Sequence, residues 1–150
     1  MKLTDTDSKN TDFILLCSML DAHLNTLAGG EEHRAEYVPH NALTHIHDVF
    51  VLYDGALPVG CASFKKYEEG TAEVKRVFIR EEYRGRGLSR LLMQALEEKA
   101  KDKGYHSLIL ETGRPFVSAI ALYTNMGYSA IPNYGPYVGM EASVCMRKAL

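Results

Sequence analysis

The sequence predicts a mixed α/β (α+β) fold with a mainly antiparallel sheet that contains one parallel crossover. Three strand-like runs joined by short turns, between residues 45 and 79, predict an antiparallel meander. A strand, a helix and a second strand then follow one another between Val74 and Thr112, and such a crossover places its two strands parallel. A chain of 150 residues can bury one sizeable core, so we expect a single domain spanning residues 1–150.

The N-terminal quarter is predicted to be mainly helical. Residues 1–10 are polar and are expected to form either an edge strand or a frayed end. Asn10 or Thr11 can cap a helix whose apolar residues recur at helical spacing. That apolar stripe comprises Phe13, Leu16, Cys17, Leu20, Leu24 and Leu27. Two glycines end this helix, and a second short helix is expected over Glu31–Tyr37.

The rest of the chain is predicted to alternate strands with two further helices. The predicted strands cover 45–53, 59–67, 71–79, 107–112, 128–131 and 143–147. Helical periodicity predicts helices over 88–103 and 119–126, each followed by a glycine that ends it. The apolar face of the longer helix is expected to comprise Leu88, Leu91, Leu92, Ala95, Leu96 and Ala100.

A turn rich in glycine and arginine separates the third strand from the long helix, in the order Arg84-Gly85-Arg86-Gly87-Leu88-Ser89. Glycines allow the main chain to approach an anion closely, and the N–H groups of a helix N-terminus carry partial positive charge. Arginines add charge-assisted donors to phosphate oxygens. The pattern therefore predicts a phosphate-binding loop, and an ordinary glycine-rich surface turn is the alternative.

Three phosphate-binding motifs can be compared with this turn. No Lys-Ser or Lys-Thr follows the glycines, so the nucleotide P-loop pattern is not met. The dinucleotide pattern G-x-G-x-x-G fails because Arg90 occupies its last position. Arg84-x-x-Gly87-x-Ser89 instead resembles the Q/R-x-x-G-x-G/A pyrophosphate loop of the GCN5-related N-acetyltransferases, the GNAT superfamily. Ser89 stands where that family usually has Gly or Ala.

Two longer segments carry the same resemblance in the same order. Residues 82–88 resemble the family's P-x-Y-R-G-x-G-[IL] loop, with Glu82 in place of proline, and residues 119–128 resemble its A-x-x-L-Y-x-x-x-G-[FY] segment. The resemblance covers about Val59 to Leu150, and the loop Asn133-Tyr134-Gly135-Pro136-Tyr137 is similar to an ending of small bacterial members. Phe116 departs from the family, which often has a pantetheine-bonding asparagine seven positions before the helix tyrosine.

The resemblance implies a fold, a cofactor and a reaction. It implies a three-layer GNAT-like fold with helices on both faces of the sheet, with the parallel crossover around the cofactor site. Acetyl-CoA is the implied acetyl donor, without a metal, and a primary amine of a small molecule or peptide is the implied acceptor; a homodimer stays open. The implied cofactor-binding residues are Val77, Phe78 and Ile79, through main-chain groups, and Arg84, Gly85, Arg86, Gly87, Leu88 and Ser89.

Acetyl transfer from a thioester to an amine needs a neutral amine and gains from protonation of the departing thiolate. Glu73 is the candidate general base, because it precedes Arg84 by eleven positions, as the base of the histone-acetylating branch does. An ion pair with Lys75 or Arg76 is the structural alternative. Tyr123 is the candidate acid from its register in the helix motif, and a core aromatic is its alternative.

Other candidate residues carry weaker signals. Tyr134 and Tyr137 lie in a loop that could close over the acceptor or pack on itself. His45 and His47 are expected to share a strand face, which suggests a role beside the substrate for His45. No third ligand follows at suitable spacing, so the sequence does not favour a metal site.

Composition narrows the class of protein further. A formal net charge of −2 argues against nucleic-acid binding, and no apolar run reaches membrane-spanning length. Cys17, Cys61 and Cys145 are odd in number and lie in apolar patterns, which favours reduced, buried thiols and a cytoplasmic location. The resemblance to the GNAT superfamily implies an acetyl-CoA-dependent N-acetyltransferase acting by direct attack in a ternary complex. The alternative is a non-catalytic acetyl-CoA-binding sensor or regulatory module.

Overall fold

The computed structural model describes residues 1–28 and 42–150, so the short helix expected over Glu31–Tyr37 lies outside the described residues. The strands are Lys2–Thr6 (β1), Asp48–Asp54 (β2), Leu57–Glu68 (β3), Thr71–Ile79 (β4), Ser107–Gly113 (β5), Ser129–Ile131 (β6) and Ser143–Ala149 (β7). The helices are Thr11–Ala28 (α1), Leu88–Asp102 (α2) and Val117–Asn125 (α3). Short 3-10 turns occupy Glu81–Tyr83 and Gly135–Tyr137.

The strands form one mixed sheet of seven strands in the order β1-β2-β3-β4-β5-β7-β6. The pairs β1–β2, β2–β3, β5–β7 and β6–β7 are antiparallel, whereas β4 and β5 are parallel. The predicted fold class is therefore confirmed, including the parallel crossover through α2. The polar N-terminal segment forms an edge strand, which was one of its two expected states.

The chain divides into two compact units, and the first comprises residues 1–65 and 75–96. Its helix α1 is capped at Asn10, whose Oδ1 accepts a hydrogen bond of 2.9 Å from the Phe13 amide. The buried cluster comprises Phe13, Leu16, Cys17, Leu20, Ile46, Val49, Val51, Cys61 and Phe78. Leu27 is 55% exposed, so the apolar stripe predicted for α1 does not extend to that residue.

Close packing between β3 and α2 in this first unit depends on Gly60. A Cβ atom at that position would lie 2.5 Å from Ile79 Cδ1 and 3.3 Å from Leu92 Cδ1, so a side chain cannot be added without displacement. Leu92, Met93 and Leu96 are fully buried, whereas Leu91 is 40% exposed. The buried face of α2 is thus rotated from the predicted one, with Met93 inside in place of Leu91.

The second unit comprises residues 66–74 and 97–150. The first residues of β4 pair with β5, with Glu73 opposite Ile109, and β5 pairs in turn with β7. Tyr128 donates a hydrogen bond of 2.9 Å to Glu97, and Lys148 forms an ion pair of 2.8 Å with the same carboxylate. The Glu97 carboxylate on α2 therefore contacts both Tyr128, which precedes β6, and Lys148, which lies on β7.

One prediction about strand geometry is wrong. His45 lies in a turn before β2 with a φ of 66°, so it shares no strand face with His47. Inside β4, Arg76 has a φ of 60°, a left-handed conformation that residues other than glycine seldom adopt. The buried Arg76 guanidinium is held by Asp21 Oδ1 at 2.9 Å and by the Cys17 carbonyl at 2.8 Å.

Candidate active site

The loop of residues 84–89 leads directly into the first turn of α2. Gly85 and Gly87 have φ angles of 77° and 75°, a conformation that other residues rarely adopt. Apart from each glycine and its two chain neighbours, no atom of the described residues lies within 4 Å of the position of a Cβ at either glycine, so the main chain of the loop borders open space. Because the first N–H groups of a helix have no partner within the helix, this end of α2 can accept an anion.

The two arginines of the loop are exposed, and each guanidinium also makes a contact within the protein. Arg84 Nε donates to the Ile79 carbonyl at 2.9 Å, and its guanidinium lies 5.6 Å from the centre of the Phe78 ring. The Arg86 guanidinium lies 4.9 Å from the centre of the Tyr83 ring. A guanidinium has five N–H donors, so these contacts orient both groups and leave donors for a ligand.

The strand residues predicted to contact the pantetheine arm divide into side-chain and main-chain roles. The side chains of Phe78 and Ile79 are buried, at 6% and 5% exposure, whereas Val77 is half-buried. The Ile79 carbonyl already accepts the hydrogen bond from Arg84. Because the side chains of Phe78 and Ile79 are buried, any contact of these two residues with a ligand would use main-chain groups.

Glu73 is a buried carboxylate, at 4% exposure, on the part of β4 that belongs to the second unit. Its Oε2 accepts a hydrogen bond of 2.7 Å from the Tyr134 hydroxyl. The charged group that the sequence offered as one ion-pair partner, Arg76, pairs with Asp21 instead. Glu73 and Tyr134 are 61 residues apart, and nothing in the sequence indicated their contact.

Tyr123 lies on α3 with only 7% of its surface exposed. Its ring packs edge-to-face against Tyr128, with the ring centres 5.7 Å apart. Burial raises the pKa of Tyr123 to about 12, so its hydroxyl keeps its proton at neutral pH. Within 1–28 and 42–150, this hydroxyl has no hydrogen-bond partner in the protein.

The predicted substrate-side tyrosines belong to a cluster of three rings, here called the tyrosine cluster: Tyr67, Tyr134 and Tyr137. Tyr134 lies edge-to-face between the other two, with ring centres 5.1 Å from Tyr67 and 5.6 Å from Tyr137. Asn133 Nδ2 donates to the carbonyls of Tyr137 at 3.1 Å and Met140 at 3.0 Å. Sequence reasoning missed Tyr67 and Asn133, although Asn133 begins the loop motif that it singled out.

The histidine candidates and the cysteines differ in exposure. His45 and His47 are both exposed, and the described residues contain no group of three His, Cys, Asp or Glu that could hold a metal ion. Cys17, Cys61 and Cys145 are buried free thiols, as the sequence predicted. No helix in the described ranges is both long and apolar enough to cross a membrane.

The predicted site residues therefore fall into two groups, each within one unit. The cofactor candidates of residues 77–79 and 84–89 belong to the first unit, which also contains His45. Glu73, Tyr123, Tyr134 and Tyr137 belong to the second unit. The first group offers donors for an anion, and the second offers a carboxylate and a protonated phenol for proton transfer.

Comparison with known proteins matches the chain to one protein family. The sequence model of the acetyltransferase (GNAT) family matches residues 18–128. An IAA acetyltransferase from Azospirillum brasilense is 37% identical over 93 residues, which are 61% of this chain and 61% of that protein. The chain thus spans about three fifths of the length of that relative.

Solved structures share the fold over the whole chain. A candidate acyl-CoA N-acyltransferase from Klebsiella pneumoniae is 34% identical, with a TM-score of 0.82 over 99% of this chain and 97% of that one. The PaiA N-acetyltransferase from Thermoplasma acidophilum, solved with coenzyme A, is 19% identical with a TM-score of 0.73 over the full length of both chains, and it shows the fold alone. On the family match and the Klebsiella structure together, the chain belongs to the acetyltransferase (GNAT) family.

Proposed function

We propose that the protein is an acetyl-CoA-dependent N-acetyltransferase that transfers an acetyl group to a primary amine of a small molecule or peptide. The observation that carries this proposal is the loop of residues 84–89, in a chain that belongs to the GNAT family. Its glycines have positive φ and border open space, at the N-terminus of a helix of 15 residues. This is the geometry that a pyrophosphate requires.

The cofactor would be held by its charged end. Main-chain N–H groups of Gly85, Gly87 and Ser89 would donate to the pyrophosphate, together with the guanidinium groups of Arg84 and Arg86. The arm between pyrophosphate and thioester would use main-chain groups of Val77 and Phe78, in the manner of an added strand. The PaiA structure, whose fold matches, contains coenzyme A, which supports this cofactor.

Glu73 would act as the general base on the acceptor amine. An amine reaches the site mostly as an ammonium ion, and it must lose a proton before its nitrogen can attack the thioester carbon. A buried carboxylate attracts the ammonium and can take that proton directly or through one water molecule. The amine would attack acetyl-CoA directly within a ternary complex, so no acetylated side chain is involved.

Tyr123 would stabilise the departing thiolate of coenzyme A. The pKa of Tyr123 is about 12, whereas that of an ordinary thiol is about 8.5. Complete proton transfer from this phenol to the thiolate is therefore uphill. We infer that Tyr123 acts mainly by donating a hydrogen bond to the sulfur as negative charge develops there.

The proposal is tested by screening a panel of amines for release of free thiol from acetyl-CoA, with wild type and Tyr123→Phe. The variant keeps the ring, so packing and affinity for coenzyme A should change little. With the best amine, kcat should fall about a hundredfold while KM stays within a few-fold.

Tyr128→Phe is the matched control, because it removes a hydroxyl from the adjacent ring. That hydroxyl is bonded to Glu97, so this change should lower thermal stability and leave kcat within about twofold. Full activity of Tyr123→Phe would reject its role and leave the enzyme assignment standing. Tight acetyl-CoA binding without turnover on any amine would reject the enzyme assignment and favour a sensor.

A further inference from the structure

The loop Asn133-Tyr134-Gly135-Pro136-Tyr137 has a role that neither the cofactor nor the thiolate explains. Its 3-10 turn is closed by the Tyr137 amide, which donates to the Tyr134 carbonyl at 2.9 Å. The Asn133 side chain binds the carbonyls of Tyr137 and Met140 and so ties the start of the loop to its end. The main chain that carries Tyr134 is thus fixed on both sides.

The ring of Tyr134 is fixed as firmly as its main chain. Tyr67 packs against it with an interplanar angle of 74°, and Tyr137 packs against it at 89°. Edge-to-face contacts of this kind stabilise one ring orientation beyond the burial of apolar surface. The result is a phenol that points its hydroxyl at a single atom, Oε2 of Glu73, at 2.7 Å.

In the hydrogen bond between Tyr134 and Glu73, Tyr134 is the donor because its hydroxyl keeps its proton. Burial, together with the negative charge of Glu73, raises the pKa of Tyr134 well above its usual value. The phenol therefore remains protonated throughout the pH range of enzyme assays and donates to the carboxylate. A group this hard to ionise is unsuited to act as a base, which separates its role from that of Glu73.

A glutamate side chain has three rotatable bonds, and a general base must reach the proton that it accepts within hydrogen-bond distance. A hydrogen bond to one carboxylate oxygen restricts those rotations, because it fixes the position of that oxygen. We propose that Tyr134 is a positioning residue for Glu73, and that the tyrosine cluster with Asn133 serves to aim its hydroxyl. This inference rests on the proposed function, in which Glu73 is the base.

A double-mutant cycle with Tyr134→Phe and Glu73→Gln tests this inference on the full-length protein. Tyr134→Phe keeps the ring in the cluster and removes only the donor. With the best amine and saturating acetyl-CoA, kcat should fall about tenfold, and the dissociation constant for coenzyme A should not change. In the Glu73→Gln background the same change should alter kcat by less than about twofold, because two residues that act as a unit are not additive.

Tyr53→Phe is the matched control, because it removes a comparable tyrosine–carboxylate hydrogen bond, from Tyr53 to Asp12 at 2.6 Å, outside the tyrosine cluster. Its kcat should stay within about twofold of wild type. Should Tyr134→Phe fail to fold, Asn133→Ala takes its place in the cycle, since it loosens the loop and keeps the hydroxyl.

The outcomes separate this inference from the proposed function. If the wild type is active and Tyr134→Phe lowers kcat equally in the wild-type and Glu73→Gln backgrounds, the role of Tyr134 is purely structural and the inference is overturned. An unchanged kcat in Tyr134→Phe would overturn it as well, and both results leave the proposed function intact. A wild type that turns over no amine would overturn the proposed function, and the inference with it.

Discussion

Two loops of this molecule use glycine at positive φ for opposite purposes. In residues 84–89, no residue of the described part of the chain, other than sequence neighbours, comes within 4 Å of a Cβ position at Gly85 or Gly87. In residues 133–137, a Cβ at Gly135 would lie 3.4 Å from the Tyr67 hydroxyl oxygen, and the rings of Tyr67 and Tyr137 pack against Tyr134. The first loop leaves its main chain accessible, whereas the second uses its main chain to hold a side chain in place.

This difference indicates how each loop works. A loop that binds an anion through N–H groups must leave room for the anion, so its neighbours stand back. A loop that aims a hydroxyl gains from dense packing, because every contact removes an alternative orientation of the ring. Substitutions in the first loop should therefore change the affinity for coenzyme A, and substitutions in the second should change turnover.

The largest effect is expected from Gly87→Val. A β-branched side chain at a φ of 75° strains the backbone and fills the space that a phosphate would enter, so the dissociation constant for coenzyme A should rise at least about a hundredfold. Gly104→Val introduces similar strain at a φ of 91° at the end of α2 and should leave that affinity unchanged. Calorimetric titration of both folded variants measures the difference, and equal affinities would contradict the role of the loop.

Asn133→Ala should act on the second loop with a smaller effect. Two hydrogen bonds that tie the loop together are lost, at a cost in stability of about 1–2 kcal/mol. Because Tyr134 is then held less firmly, kcat should fall about fivefold to tenfold while the affinity for coenzyme A is retained. Urea unfolding and steady-state kinetics measure the two effects, and a loss of coenzyme A affinity would break the distinction between the loops.

Alkaline pH should affect the second loop through Tyr134. The pKa of this tyrosine is raised in the folded protein, whereas in the unfolded chain it ionises near pH 10. Its contribution to stability is thus fully present below pH 10 and is lost above it, by about 1.4 kcal/mol per pH unit. Urea unfolding between pH 9 and about pH 11 should show a shallower decline for Tyr134→Phe than for wild type.

Tyr83, beside the first loop, offers the control for this pH effect. Its hydroxyl bonds Asp54 at 2.6 Å, and that hydrogen bond raises its pKa, but the side chain is exposed to solvent. Solvent weakens such an interaction, so the pH profile of Tyr83→Phe should run parallel to wild type. Parallel profiles for Tyr134→Phe as well would show that its hydrogen bond to Glu73 does not persist in solution.

Arg86→Ala should give the smallest of these effects. The guanidinium is exposed and supplements the main-chain donors, so the dissociation constant for coenzyme A should rise only a few-fold. The dependence of that constant on salt should become weaker, because one cation fewer faces the phosphates. Arg90→Ala removes an equal charge from the first turn of α2 and serves as the control, and an equal response of both variants would mean that only net charge matters.

The local elements were predictable from sequence because their signals are local. Turn glycines, the Asn10 cap and helical spacing predicted β2 to β5 and all three described helices within a few residues. The left-handed backbone of Arg76 was not predictable, since arginine seldom adopts it and the guanidinium is held by Asp21 from another element. His45 was wrongly assigned to a strand because the weak alternation of apolar residues begins before the observed start of β2.

The site was predictable where a contiguous motif encodes it. Residues 84–89 carry their geometry in their own glycines, so the loop could be recognised without a structure. The contact between Glu73 and Tyr134 depends instead on the pairing of β4 with β5 and on the fold of a loop 61 residues away. The residue types at these two positions do not predict that contact.

The tyrosine cluster has a consequence for attempts to redesign the range of acceptors. Residues 132–142 look like a self-contained surface segment that could be exchanged for the corresponding segment of a relative. A transplanted loop would, however, meet Tyr67 on β3 and Glu73 on β4, and both contribute contacts to the native loop. The unit that can be exchanged is therefore discontinuous, and a graft should include the relative's residues at positions 67 and 73. Without them, the new loop would no longer orient the carboxylate.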